Sequence, residues 1–169
     1  MKELPAGETG EVVVRSSMTT DSYLNRDKST ALAKIPAGSG EVAHRMGDLG
    51  FLDEKGRLWF CGRMSQRVVR EEGTLFTIPC ELVFNTHPAV RRSALVGVEK
   101  GGETVPVVCV ELENGAHIPD SELRELALSR PHTSGIETFL VHPGFPVDIR
   151  HNAKIRREQL RTWAAEKLA

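Results

Sequence analysis

The sequence has no strong charge of either sign: 22 Lys and Arg stand against 23 Asp and Glu, a formal net charge of -1. A protein that neutralises several phosphates normally shows a basic excess or stripe. Here the basic residues are interleaved with acids, as on a solvated surface, so nucleic acid is not an expected partner. Cysteine is scarce as well. Cys61, Cys80 and Cys109 are widely spaced and form no C-x-x-C pair. A disulfide framework favours an even count, and a zinc site favours close pairs with histidines at ligand spacing. The three are read as reduced, mostly buried thiols of a cytoplasmic protein, and no metal site is assigned. No apolar run approaches the roughly 20 residues that span a bilayer. Residues 1–14 contain no apolar signal core. Neither a membrane span nor export is expected, and there is no internal repeat or low-complexity segment.

What the chain does have is 169 residues, 40% of them apolar and 27% charged. That balance can bury a core, and the length suits one ordinary domain or two small ones. Residues 9–15 have the β-branched content of a strand after a Pro/Gly turn. Residues 27–33 suit a short helix with Asp27 as its N-cap. The apolar runs 47–52 and 57–61, separated by a turn that ends in Gly56, predict a β-hairpin. After Gly62 the pattern changes. Runs 67–70 and 74–78 flank Glu71-Glu72-Gly73 as a second hairpin. Pro79 opens a helix over 80–86 that must end before Pro88. Strands follow at 94–98 and 105–112, then a helix capped by Asp120 or Ser121, a strand at 138–141 and a last helix over 153–168. The order predicts an α+β fold: a β-rich segment over 1–62, a linker at 63–66, and a compact α+β domain over 67–169 with helices packed on a sheet. Trp59 and Trp163 fall in apolar stripes and are expected in the core. His87, His117, His132, His142 and His151 lack ligand spacing and are read as surface or capping residues.

Three stretches carry chemistry. In His44-Arg-Met-Gly-Asp-Leu-Gly50, Asp48 can project a carboxylate that accepts two hydrogen bonds from a vicinal diol such as a ribose, although Gly-Asp is also a common turn. In Gly62-Arg-Met-Ser-Gln-Arg-Val-Val69, Arg63 offers a planar fork of donors suited to a ribose or phosphate. Ser65 and Gln66 lie where the two composition regimes meet. In Arg150-His-Asn-Ala-Lys-Ile-Arg-Arg-Glu158, Lys154 is expected in a polar turn opening the final helix, where a compact ammonium could offset charge on a phosphoryl group. A lysine there is mildly unfavourable with the helix dipole, which argues for a functional reason.

The order of these stretches resembles a family. Gly-Glu-Thr-Gly-Glu-Val, Ser-Tyr-Leu-Asn-Arg, Met-Gly-Asp-Leu-Gly, Leu-Trp-Phe-Cys-Gly-Arg, Pro-x-Glu-Leu with His87-Pro-x-Val90, and Asn-Ala-Lys-Ile-x-Arg run in one register over nearly the whole chain. Together they look like the last third of the adenylate-forming superfamily of acyl-CoA synthetases, peptide synthetase adenylation domains and luciferases. The resemblance implies that 67–169 is a lid domain and that 1–62 is the end of a larger N-terminal domain. It implies that Asp48 binds the ribose hydroxyls of ATP with help from Arg63, and that Ser65 is the hinge. Lys154 would contact the carboxylic acid substrate and the α-phosphate. ATP and Mg2+ are the implied cofactors, bound mostly by the N-terminal region, and partners among enzymes of the same pathway are compatible with it. No Gly/Ser/Thr-rich phosphate loop occurs, and Lys2 onward reads as mid-chain sequence, so Met1 is expected to be an alternative start or an artefact.

The chain departs from the family pattern at four places. Met46 stands where threonine usually precedes Gly-Asp, and Ser65 stands for the usual hinge Asp or Lys. The 69–79 hairpin is longer and carries Glu71-Glu72, and Asn152-Ala153 replaces Ser-Gly or Asn-Gly before Lys154. That hairpin is the face that usually meets coenzyme A or a carrier arm. The departures look like those of the β-lactone synthetase branch of bacterial olefin biosynthesis, in which the adenylate of a β-hydroxy acid closes on its own hydroxyl. Two alternatives stand beside this one: the C-terminal part of an acyl-CoA or peptide synthetase, and an interaction module that keeps the lid fold without the chemistry.

Overall fold

The computed structural model describes residues 2–38, 40–148 and 151–169, excepting the side chains of 151–153. The chain divides into two compact units, Met1–Ser65 and Gln66–Ala169. Both mix strands with helices, so the α+β class stands.

The first unit is a sheet organised by one long strand. Its elements are β1 (Gly10–Arg15), α1 (Asp27–Ala33), β2 (Lys34–Pro36), β3 (Val42–Leu52) and β4 (Leu58–Arg63). One edge of β3 pairs with β1 along its length, from Gly10↔Gly50 to Arg15↔Ala43. The other edge is shared. Its first half pairs with β2 and its second half with β4, all antiparallel. The β3–β4 turn is closed by Asp53, whose Oδ1 accepts the Lys55 and Arg57 N–H groups at 2.9 Å. Its Oδ2 takes Arg57 Nε at 2.7 Å and the Trp59 indole N–H at 3.0 Å. Those donors, the Trp59 indole foremost and then the Arg57 N–H, hold the Asp53 carboxyl down at about 2. Two expectations need correction here. Trp59 is half-exposed, stacked on Phe51 at 6.2 Å rather than in the core. Arg26, not Asp27, precedes α1 and no side chain caps it, while Asp27 sits in the first turn, where a carboxylate suits the helix dipole.

The second unit opens with a short hairpin, β5 (Val68–Arg70) and β6 (Gly73–Leu75), then α2 (Thr77–Phe84). The long antiparallel pair β7 (Val90–Lys100) and β8 (Glu103–Leu112) follows, then α3 (Asp120–Leu128) and β9 (Thr138–Val141), which pairs parallel to β8. A small hairpin of β10 (Val147–Asp148) and β11 (His151–Ile155) leads into α4 (Arg157–Leu168). The β7–β8–β9 sheet is buried on both faces, which is why its strands read as unbroken apolar runs. Leu95, Val108 and Val110 point to one face and pack with Phe84 of α2 and Leu123 and Ala127 of α3. Ala94, Val96, Val107 and Cys109 point to the other and pack with Leu160 and Ala164 of α4. This is the alternation that a two-residue strand period dictates.

The helix boundaries differ from the sequence reading. α2 begins at Thr77, so Pro79 lies inside its first turn, where an N–H has no intrahelical partner to lose. Pro119 precedes α3, and Asp120 is its first residue rather than its cap. α4 begins at Arg157. The β10–β11 hairpin was not expected: Val147 pairs with Ile155, and the Arg156 N–H donates to Pro146 O at 2.8 Å. Among the described residues, no helix is long and apolar enough to cross a membrane.

Candidate functional site

Asp48 and Arg63 are directly opposed across the β3–β4 pair. The route to that placement is a bulge. Between the pairs Glu11↔Leu49 and Val13↔Arg45, residues 46–48 of β3 stand opposite Val12 alone. The extra residues are accommodated at Gly47, whose φ of 66° is the left-handed region that glycine enters without penalty. The bulge turns Asp48 so that its carboxylate is four-fifths covered, with 20% exposed. Arg63 Nη1 lies 3.1 Å from Asp48 Oδ1 as an ion pair, and its hydrogen bond goes to Met46 O, also at 3.1 Å. Asp48 Oδ1 is buried beside a cation and accepts no hydrogen bond from the described residues. A buried carboxylate oxygen left open in this way is costly unless a donor arrives.

Ser65 lies in a 3-10 turn, Met64–Gln66, at the join of the two units. Lys154 belongs to the second unit and its side chain is exposed. It sits on β11 and not in a turn opening α4, a correction that follows from the strand pairing of Ile155. The motif's Arg150, and the side chains of His151, Asn152 and Ala153, lie outside the described residues.

Two buried ionic clusters lie in the second unit, and sequence reasoning assigned neither. Arg157, first residue of α4, grips Glu81 of α2 with both arms of its guanidinium, Nη1 to Oε1 at 2.6 Å and Nη2 to Oε2 at 2.9 Å. Glu81 Oε1 also accepts the Leu95 N–H at 2.8 Å. Burial pushes the Glu81 carboxyl up, opposed by the Arg157 fork and the Leu95 N–H. The second cluster centres on Glu111, 3% exposed, whose Oε2 accepts Arg92 Nε and Nη2 at 2.9 and 2.8 Å and the Phe145 N–H at 2.5 Å. Arg91 Nη1 meets Oε1 at 3.0 Å. Burial raises this carboxyl, but the Phe145 N–H and the arginines outweigh it and the net direction is down. The Pro-x-Glu-Leu motif was the one signal in the sequence for Glu81.

His87 and the three thiols are held by their surroundings. His87 Nδ1 accepts the Ala89 N–H at 3.1 Å, which leaves Nε2 as the donor to Glu122 at 2.9 Å. All three cysteines are free and buried, and burial pushes the Cys80 and Cys109 thiols up to about 12. A thiolate nucleophile is not available from them at neutral pH. Among the described residues no group of three or more His, Cys, Asp or Glu gathers to hold a metal.

No family model matches the chain. Comparison with individual proteins is decisive instead: the chain belongs to the adenylate-forming superfamily, matching the C-terminal part of its members. Among its curated relatives are the olefin β-lactone synthetases of Xanthomonas campestris pv. campestris, 51% identical over 175 residues, and Stenotrophomonas maltophilia, 52% identical over 172 residues. Each match covers 98% of this chain; it spans 32% and 31% of those proteins, about a third of their length. Among solved structures, the amide bond synthetase McbA from Marinactinospora thermotolerans superimposes with a TM-score of 0.83 at 29% identity, covering 96% of this chain and 32% of that one. The o-succinylbenzoate CoA synthetase MenE from Bacillus subtilis, in complex with its acyl-adenylate intermediate, gives 0.80 at 26% identity, covering 94% and 31%. The same enzyme in complex with ATP and a magnesium ion gives 0.78 at 25% identity, covering 93% and 31%.

Proposed function

We propose that the chain is the C-terminal third of an ATP-dependent ligase that converts a carboxylic acid to its adenylate with release of pyrophosphate, and that the acid is a β-hydroxy fatty acid closed to a β-lactone. The observation that carries the reading is Asp48 Oδ1, a covered carboxylate oxygen with a cation beside it and no hydrogen bond accepted. A ribose supplies two vicinal O–H donors, which suit such a group. Arg63, aligned along Met46 O, places a cation beside that oxygen. Ser65 is the hinge in this reading, and residues 67–169 are the lid that swings about it.

ATP supplies the activated phosphorus, and Mg2+ travels with the triphosphate, which we assign to the part of the protein beyond this chain. Lys154 contributes a compact positive charge where the carboxylate attacks the α-phosphorus, the main demand of such a transfer. In the second step the β-hydroxyl oxygen bonds to the acyl carbon, AMP leaves with the bonding pair, and the hydroxyl proton is released. The β5–β6 hairpin favours this closure over thioester formation. Its tip carries exposed Glu71 and Glu72, and acids there repel the phosphates of coenzyme A. The three buried free thiols fit a reducing compartment, and we place the protein in the cytoplasm.

The test is product analysis with the full-length enzyme, ATP, Mg2+ and a long-chain β-hydroxy acid. A β-lactone with AMP and pyrophosphate, formed without coenzyme A, is expected. An acyl-CoA formed only on adding coenzyme A contradicts the lactone reading. In the same enzyme Asp48→Ala should raise the KM for ATP about tenfold or more, the scale of a charge-assisted hydrogen bond lost.

A further inference from the structure

The function proposed above leaves the Glu81–Arg157 pair without a task, although it is a deeply buried ion pair, with side chains 12% and 6% exposed. For stability alone such a pair is a poor choice, because well-packed apolar residues of the same volume often do as well or better. What a bidentate fork supplies is direction: two parallel bonds fix the rotation and depth of one group against another. Here the fork knits three elements. Arg157 opens α4, Glu81 lies on α2, and the Leu95 N–H of β7 shares the Glu81 Oε1 at 2.8 Å. Immediately upstream, Ile155 pairs with Val147 and the Arg156 N–H is held by Pro146 O. Lys154 therefore precedes three consecutive residues that are each tied down, while its own side chain stays exposed.

We propose that Glu81 and Arg157 are positioning residues for Lys154: the fork fixes where the β11–α4 junction sits on the sheet, so the ammonium is presented at one place rather than over a range. The proposal rests on Lys154 acting in adenylation. It uses no contact between substrate and either member of the pair. Misplacement of a catalytic group by about 1 Å can cost 10²-fold in rate, so a loosened junction should be visible in the first step alone.

The experiment uses the full-length enzyme and measures pyrophosphate release and consumption of supplied acyl-adenylate separately. Glu81→Gln keeps an acceptor for the Leu95 N–H but weakens the fork. Glu81→Gln/Arg157→Met removes both charges together, so no ion is left buried and unpaired if the single variant fails to fold. Each is expected to slow pyrophosphate release by ~10-fold or more and to leave adenylate consumption within about twofold. On a Lys154→Ala background neither should slow release by more than about twofold further, because the group being positioned is gone. Equal slowing of both steps, an unchanged first step in the folded double variant, or full multiplication on the Lys154→Ala background overturns the proposal. An unchanged first step in Lys154→Ala alone overturns the functional reading, and the inference falls with it.

Discussion

Asp48 and Arg63 were legible as residues, because a Gly-Asp pair and an arginine at a strand end are local in sequence and become opposed across one hairpin. Glu81 and Arg157 were not legible as a pair: the partners are 76 positions apart, and nothing local says which arginine a buried glutamate will choose. Glu111 has the same character, gathering Arg91, Arg92 and the Phe145 N–H from separate segments. Its depressed titration has a measurable consequence. A carboxyl whose folded value lies below its ordinary 4.5 adds stability that is present above that value and lost as pH falls through the folded one. Glu111→Gln should therefore lower the denaturation midpoint at pH 7, with less further loss between pH 5 and 3 than the parent shows. Parallel acid limbs for the two proteins in urea titrations would remove Glu111 from this role.

The elements were readable wherever periodicity was long, as in β7 and β8, and lost where a short segment met a competing signal. Lys154 was expected in a polar turn opening the last helix. The pairing of β11 with β10, Val147↔Ile155 and Asp148↔His151, makes that run a strand. The β3 bulge was likewise hidden, since a two-residue alternation passes through Gly47 without visible interruption. Gly47 has open space around its missing Cβ but a φ of 66°, so the cost of a side chain there is conformational alone. Gly47→Ala should destabilise by about 1 kcal/mol, read as a shift in urea midpoint with unchanged slope, and it should raise the KM for ATP in the full-length enzyme as Asp48 turns. In α4, Leu160 is fully buried between helix and sheet. Leu160→Ala should cost about 2–5 kcal/mol. Leu128→Ala, at a side chain 69% exposed on α3, should stay within about 0.5 kcal/mol.

At the scale of the whole molecule, the chain holds two units joined at Ser65 and Gln66, one with the paired Asp48 and Arg63 and one with Lys154. Which groups act in which chemical step is a property of the full-length enzyme, and the proposed role of Lys154 is the part of it most open to test. The direct measurement is the rate of pyrophosphate release set beside the rate of consumption of pre-formed acyl-adenylate, in the parent and in Lys154→Ala. Pyrophosphate release should fall by roughly 10²–10³-fold, the effect of deleting one pre-organised electrostatic donor. Adenylate consumption should change little, and Lys154→Arg should not restore the first step in full. Equal loss in both steps, or no loss in the first, would contradict the role given to Lys154 and the adenylating site built around it.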